Sequence, residues 1–134
     1  MSEARFIERQ AEVAKAAARL REVAAMPENE IVRDAALQRF EFTFELIWKT
    51  LKLYLERQGY ETGGPRPTLK KAFAEGIISS TEQGDVWLRM LEDRNLTNHA
   101  YDEALAADIY RRVVRDYAPA IARMATAIQS LVWS

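Results

Sequence analysis

The sequence predicts an all-α protein: a helical bundle of four long helices with one extra short helix. Three observations lead there. Apolar residues recur at spacings of three and four along most of the chain, and no stretch alternates as a strand would. The 5 glycines and 4 prolines lie mostly between the periodic segments, which favours long regular elements with short connections. At 134 residues the chain has the size of one domain. Residues 1–134 therefore read as a single domain, long enough to bury a core without covalent staples.

The first helix is expected from about Glu3 to Ala25. It is rich in Ala, Glu, Arg and Lys, all strong helix formers, and Phe6, Val13, Ala17, Leu20 and Val23 form a thin apolar stripe. Pro27 and Asn29 punctuate its end. The second, from about Glu30 to Gln58, has the strongest pattern: Leu37, Phe40, Phe44, Ile47, Leu51 and Leu55 share one face. Phe42, Trp48 and Tyr54 widen that face, so this helix should touch two neighbours, or one neighbour and a second subunit. Gly59 is a natural stop. After the turn-rich stretch from Tyr60 to Pro67, a short helix starting at Pro67 or Thr68 runs to Glu75 and ends at Gly76. The fourth segment, about Thr81 to Asn98, takes Thr81 as its cap, with Glu82 and Asp85 in its first turn. Val86, Trp87, Met90, Leu91 and Leu96 are its inward residues. The last helix, capped by Asp102, runs to about Leu131 on a stripe of Leu105, Ile109, Val113, Tyr117, Ile121, Met124, Ile128 and Leu131. Pro119 lies inside it and should kink or break it.

Composition excludes several classes. Apolar residues at 49% and charged residues at 29% describe a folded protein, not a disordered one. There is no cysteine, so disulfides, thiolate metal sites and a Cys nucleophile are out. With 1 histidine a dedicated zinc site is not expected either, and no metal or other cofactor is. The opening Met1-Ser2-Glu3-Ala4-Arg5 carries charges and enters a polar helix, so no signal peptide is expected. No apolar run approaches the ~18 residues of a membrane span. A cytoplasmic protein with no membrane partner is the expectation. The net charge of −1 lacks the basic excess of a general nucleic-acid binder. Any RNA contact must be local or assembled across subunits. Thr62-Gly63-Gly64-Pro65 is too short for a P-loop and lacks the following Lys-Ser/Thr. The Gly-Ser and paired-Asp signature of nucleotidyltransferases is also missing, so the chain is not itself such a transferase.

The densest polar chemistry lies in Arg94-Asn95-Leu96-Thr97-Asn98-His99-Ala100-Tyr101, flanked by Glu92, Asp93, Asp102 and Glu103. A capped helix end with a solvated loop accounts for such a composition. A phosphodiester or nucleotide site accounts for it too. Arg94 offers a planar donor fork suited to phosphate oxygens. His99, the lone imidazole, is the residue type that moves protons near neutral pH. Tyr101 offers a hydroxyl for binding or modification, Asn95 and Asn98 offer orienting amides, and Asp102 could orient the imidazole. Arg94 and His99 are five apart, about 140° around an ideal helix. They share a site only through an irregular turn near Thr97–Ala100 or through a second subunit. On the second helix, Glu41, Glu45 and Lys49 stand at i,i+4 spacing. They read as a surface ion-pair series or as a contact with a partner or cleft.

The spacing Arg94-x4-His99-x-Tyr101 resembles the R-x4-H-x-Y signature of the HEPN superfamily in its HepT-like branch. More closely, the chain resembles the nucleotidyltransferase substrate-binding protein family. The further blocks that carry this resemblance run from Gln38 through Lys49 (QRFEFTFELIWK), from Pro65 through Ile78, and at Trp87 and Met90 before the Arg94-Asn95 pair. It spans about Arg33 to Ala125. It implies an antiparallel up-and-down four-helix bundle that forms a homodimer and is encoded near a minimal nucleotidyltransferase. In HepT-like members two copies of the motif meet in one cleft and act as a metal-independent endoribonuclease toxin, with the transferase as antitoxin. Carried over, Arg94 would stabilise phosphate charge, His99 would be the acid/base, and Tyr101 would accept an adenylyl group. The older family name implies a different role, a non-catalytic subunit presenting a substrate or nucleotide to the transferase. A structural dimer with an idle motif is a third reading.

Overall fold

The structure, a computed structural model, describes residues 2–99 and 101–134; Met1 and Ala100, the latter inside the octet, lie outside them. It is all-α, with no strand among the described residues. The helices are α1 (Glu3–Ala24), α2 (Glu30–Arg57), the short α3 (Pro65–Ala74) and α4 (Thr81–Leu96). A 3₁₀ turn (Thr97–His99) follows, then α5 (Glu103–Arg112), a π-helical turn (Val113–Tyr117) and α6 (Ala118–Gln129). The last three run on as one interrupted helix, so the bundle has four long members and one short one. No described helix is long and apolar enough to cross a membrane.

Side-chain contacts give the direction of each pair. Phe6 meets Tyr54, and Arg39 Nη1 donates to the Arg19 carbonyl at 2.8 Å, so α1 and α2 are antiparallel. Phe44 stacks near Trp87, while Glu45 reaches Arg94 and Glu41 reaches Thr97, so α2 and α4 are antiparallel. Asp93 pairs with Arg112 and Gln83 with Arg123, which sets α4 against the last helix in the same sense. The buried Gln10 donates to the Ile128 carbonyl at 2.8 Å, and Gln129 returns a bond to the Gln10 carbonyl, closing α1 on α6.

Every stripe residue expected of α1 is buried, as are all six on α2 and Trp87, Met90 and Leu91 on α4. Phe40 stacks on Tyr117 with ring centres 5.3 Å apart, which ties α2 to the last helix at mid-core. Gly59 adopts φ +97°, and the Tyr60 N–H reaches back to the Leu55 carbonyl, a left-handed helix stop that glycine tolerates without strain.

Several boundaries differ from expectation. Helix α4 is capped by Ser80, whose hydroxyl accepts from the Gln83 N–H, and not by Thr81, which is its first helical residue. Helix α3 starts at Pro65, where a missing N–H costs nothing. Helix α4 gives way to the 3₁₀ turn after Leu96, and Leu96 is 38% exposed instead of inward. The last helix ends at Gln129. The local irregularity expected at Pro119 takes the form of a π turn that interrupts the last helix just before it. In this turn the Ala118 N–H bonds the Val113 carbonyl, five residues back. Proline has no N–H to give and its ring crowds the carbonyl four residues earlier. One extra residue in the turn absorbs that conflict.

The largest departure is Asp93. Within the polar cluster it reads as a solvated residue, yet it is 4% exposed. Arg112 meets it with two parallel bonds, Nε to Oδ2 at 2.7 Å and Nη2 to Oδ1 at 3.0 Å. The Tyr117 hydroxyl donates to the same Oδ2. Burial, then its bond to Asp93, pushes the Tyr117 hydroxyl well above its ordinary value, and the same bonding raises Arg112.

This clamp can be tested in two ways. Arg112→Met strands the buried Asp93 carboxylate without its cation, and urea unfolding should show a loss of about 3 kcal/mol. The second test uses alkaline pH. Above an ordinary tyrosine value of 10.0 the unfolded chain ionises this residue while folded Tyr117 keeps its proton. Its stabilisation is therefore fully present below that pH and declines as pH rises further. Unfolding midpoints of the wild type should converge on those of Tyr117→Phe as alkalinity increases; parallel curves would contradict the assignment.

Candidate functional site

The octet sits where α4 ends. Asp93 and Arg94 are neighbours in sequence and so point about 100° apart on the helix. Asp93 turns toward the last helix. Arg94 turns toward α2, where its Nε donates to Glu45 Oε1 at 2.7 Å and its Nη2 lies 3.6 Å from Glu41 Oε1. Each carboxylate is held on its other oxygen. Trp48 Nε1 donates to Glu45 Oε2 at 3.0 Å, and Thr97 Oγ1 lies 3.1 Å from Glu41 Oε2. The Thr97 hydroxyl is also 2.7 Å from the Arg94 carbonyl, so its single proton serves either acceptor. Lys49 Nζ is a more distant and exposed partner of Glu45 at 3.9 Å. The i,i+4 pair on α2 is thus the seat of Arg94, and the Glu45–Lys49 surface pair is secondary.

After Arg94 the helix gives way to the 3₁₀ turn Thr97–His99. This turn carries His99 into solvent, where its Nδ1 lies 3.3 Å from the Tyr101 hydroxyl with the rings edge-on. Tyr101 is 82% exposed. Asn95 and Asn98 are exposed on the same segment. Asp102 caps α5: its Oδ1 accepts from the Leu105 N–H at 3.1 Å, and its own N–H bonds the His99 carbonyl at 3.0 Å. Its carboxylate is thus engaged with backbone, and its link to His99 runs through the main chain. Within one protomer, then, the fold joins His99 to Tyr101 and joins Arg94 to α2. It gives one exposed edge with an imidazole and a phenol and, earlier on the same segment, a half-buried guanidinium that turns to α2.

Sequence reading missed two sets of partners. Glu41, Glu45 and Trp48 hold Arg94. The available signal was two like-charged carboxylates one turn apart, a pair that repels on a free helix surface unless a cation sits between them. Arg112 and Tyr117 hold Asp93, and no local signal marks that pairing, since it joins residues 19 and 24 apart in sequence.

An all-α bundle with R-x4-H-x-Y at the end of its fourth helix, seated on glutamates of its second, defines the class. The chain belongs to the nucleotidyltransferase substrate-binding protein family. The family described as "Nucleotidyltransferase substrate binding protein like" matches it over residues 8–130. Over 83 residues the chain is 30% identical to the Probable ribonuclease HepT of Haemophilus influenzae, a match covering 58% of this chain and 55% of that protein. The match thus spans little more than half of that relative's length. A Thermus thermophilus protein of known crystal structure superposes with a TM-score of 0.80 at 39% identity, over 87% of this chain and 98% of that one. A chain from the crystal structure of a mutant toxin–antitoxin MntA–HpeT superposes with a TM-score of 0.77 over 94% of this chain and 98% of that one. At 16% identity it speaks for the fold alone.

One prediction concerns the edge itself. Asp102→Ala removes the α5 cap and should cost about 1 kcal/mol in thermal unfolding. It should also speed amide hydrogen exchange at Glu103, Ala104 and Leu105, leaving the α1–α6 contact unaffected.

Proposed function

We propose that this chain is the HEPN-type component of a two-protein toxin–antitoxin module, partnered by a minimal nucleotidyltransferase encoded nearby, and acts in the cytoplasm as a metal-independent endoribonuclease. The observation that carries the reading is the placement of a guanidinium, an imidazole and a phenol at one end of α4, with His99 and Tyr101 in hydrogen-bond contact. The similarity to a protein named as a ribonuclease supports it. In the cleavage, the RNA 2′-hydroxyl loses its proton to an imidazole and forms a bond to phosphorus. The bond from phosphorus to the 5′ oxygen breaks, and that oxygen takes up a proton. Arg94 offsets the charge that builds on the phosphate. The reaction calls for two proton-transfer groups, and each chain has 1 histidine. A homodimer supplies the second across a symmetric cleft. Phe42, 63% exposed on the helix that seats Arg94, gives such a dimer an apolar surface. Adenylylation of Tyr101 by the partner would block the edge by adding bulk and charge beside His99.

A specific observation favours the second reading, a non-catalytic subunit that presents a substrate or nucleotide to the transferase. Arg94 is ion-paired with two carboxylates of its own protomer, which lowers its pull on a long RNA backbone. The two readings separate in solution. The pure, folded homodimer should cleave RNA in the presence of chelator, and His99→Ala and Arg94→Ala should each lose about 100-fold or more of that rate. Intact RNA with a stable transferase complex would establish the binding-subunit reading instead. Mass spectrometry after co-expression with the transferase should find an AMP adduct on Tyr101.

A further inference from the structure

We propose that Glu45 and Trp48 are positioning residues that aim Arg94 at the reacting phosphate; the proposal rests on the ribonuclease reading above for its chemistry, but not for its geometry. Two blocks far apart in sequence, the second-helix stretch holding Glu41, Glu45 and Trp48 and the α4 end holding Arg94, form one polar cluster. Its order is indole, carboxylate, guanidinium: Trp48 Nε1 to Glu45 Oε2 at 3.0 Å, then Glu45 Oε1 to Arg94 Nε at 2.7 Å. Glu41 Oε1 completes the seat 3.6 Å from Arg94 Nη2.

Nε and Nη2 form one side of the guanidinium, and that side is turned to the two glutamates. Nη1 is engaged by neither carboxylate. A phosphate oxygen therefore meets the guanidinium at its Nη1 end, with the plane of the fork already set. An unrestrained arginine explores many rotamers, and ordering it at each turnover costs entropy. Here the ordering is built into the free protein, because Trp48 fixes Glu45, which in turn fixes Nε. A carboxylate serving as a mobile latch would need no anchor of its own; Glu45 is anchored, on a helix, in a half-buried setting.

The charges add a second, separable effect. Two carboxylates beside one guanidinium weaken its attraction for an incoming phosphate. Glu45 thus trades phosphate affinity for alignment. Its neutral isostere should show both sides of that exchange, while loss of the indole N–H should show the alignment alone.

The test has two arms, run on folded dimer checked by circular dichroism. The first needs no RNA. In isotope-labelled protein the Arg94 Nε–H resonance, assigned by its loss in Arg94→Lys, should be resolved and slow to exchange with water. In Glu45→Gln and in Trp48→Phe it should move toward the position of exposed arginines and exchange faster. The second arm is RNA cleavage. Trp48→Phe should lower kcat at least about tenfold with KM little changed. Glu45→Gln should lower kcat similarly while KM falls, since a negative charge beside the phosphate is gone. An Arg94 resonance indifferent to both substitutions overturns the proposal. So does a rise in kcat in Glu45→Gln, which would make Glu45 a latch. Absence of cleavage by the wild type would sink the ribonuclease reading, and the resonance would then decide the positioning role by itself.

Discussion

The last turn of α4 is gripped from two sides, and the arrangement of the candidate site depends on that grip. Asp93 is buried and holds the final helix through Arg112 and Tyr117. Arg94, the next residue, holds α2 through Glu45 and Glu41. A carboxylate taken out of water is costly unless fully bonded, and here three donors from two side chains meet it. Such a pairing adds little net stability over apolar packing. Its physical effect is to specify one register of α4 between its neighbours, because sliding by a residue would strand both ion pairs at once.

The π turn belongs to the same arrangement. Pro119 cannot sit in a regular helix without a lost bond and a clash. The conflict is relieved immediately upstream, in the segment that ends at Tyr117. That residue stacks on Phe40 in the core and bonds Asp93 at the core's edge. A backbone irregularity, an aromatic contact and a buried ion pair therefore meet at one side chain, within reach of the helix end that carries Arg94.

Beyond that end the regular helix gives way. The 3₁₀ turn and the Asp102 cap leave His99, Tyr101, Asn95 and Asn98 in solvent, whereas Arg94 is kept half-buried on α2. The polar groups of the octet thus divide between a solvent-facing segment and a cation held by carboxylates of its own protomer.

The helices, their core faces and the octet were legible in the sequence because each rests on local rules. Apolar spacing marked Leu37 through Leu55 as one buried face, Gly59 marked a stop, and Asp102 marked a cap. What the sequence could not decide was which polar residues leave water. Asp93 and Glu92 are adjacent acids in one polar run, and only packing against Arg112 and Tyr117 buries the first while the second stays exposed. Likewise Glu45 has a helical partner in Lys49 at i+4, yet Arg94, 49 residues away, is the closer one. Local periodicity encodes which face of a helix turns inward; the pairing of charges across helices is settled only when the bundle closes and removes the water between them.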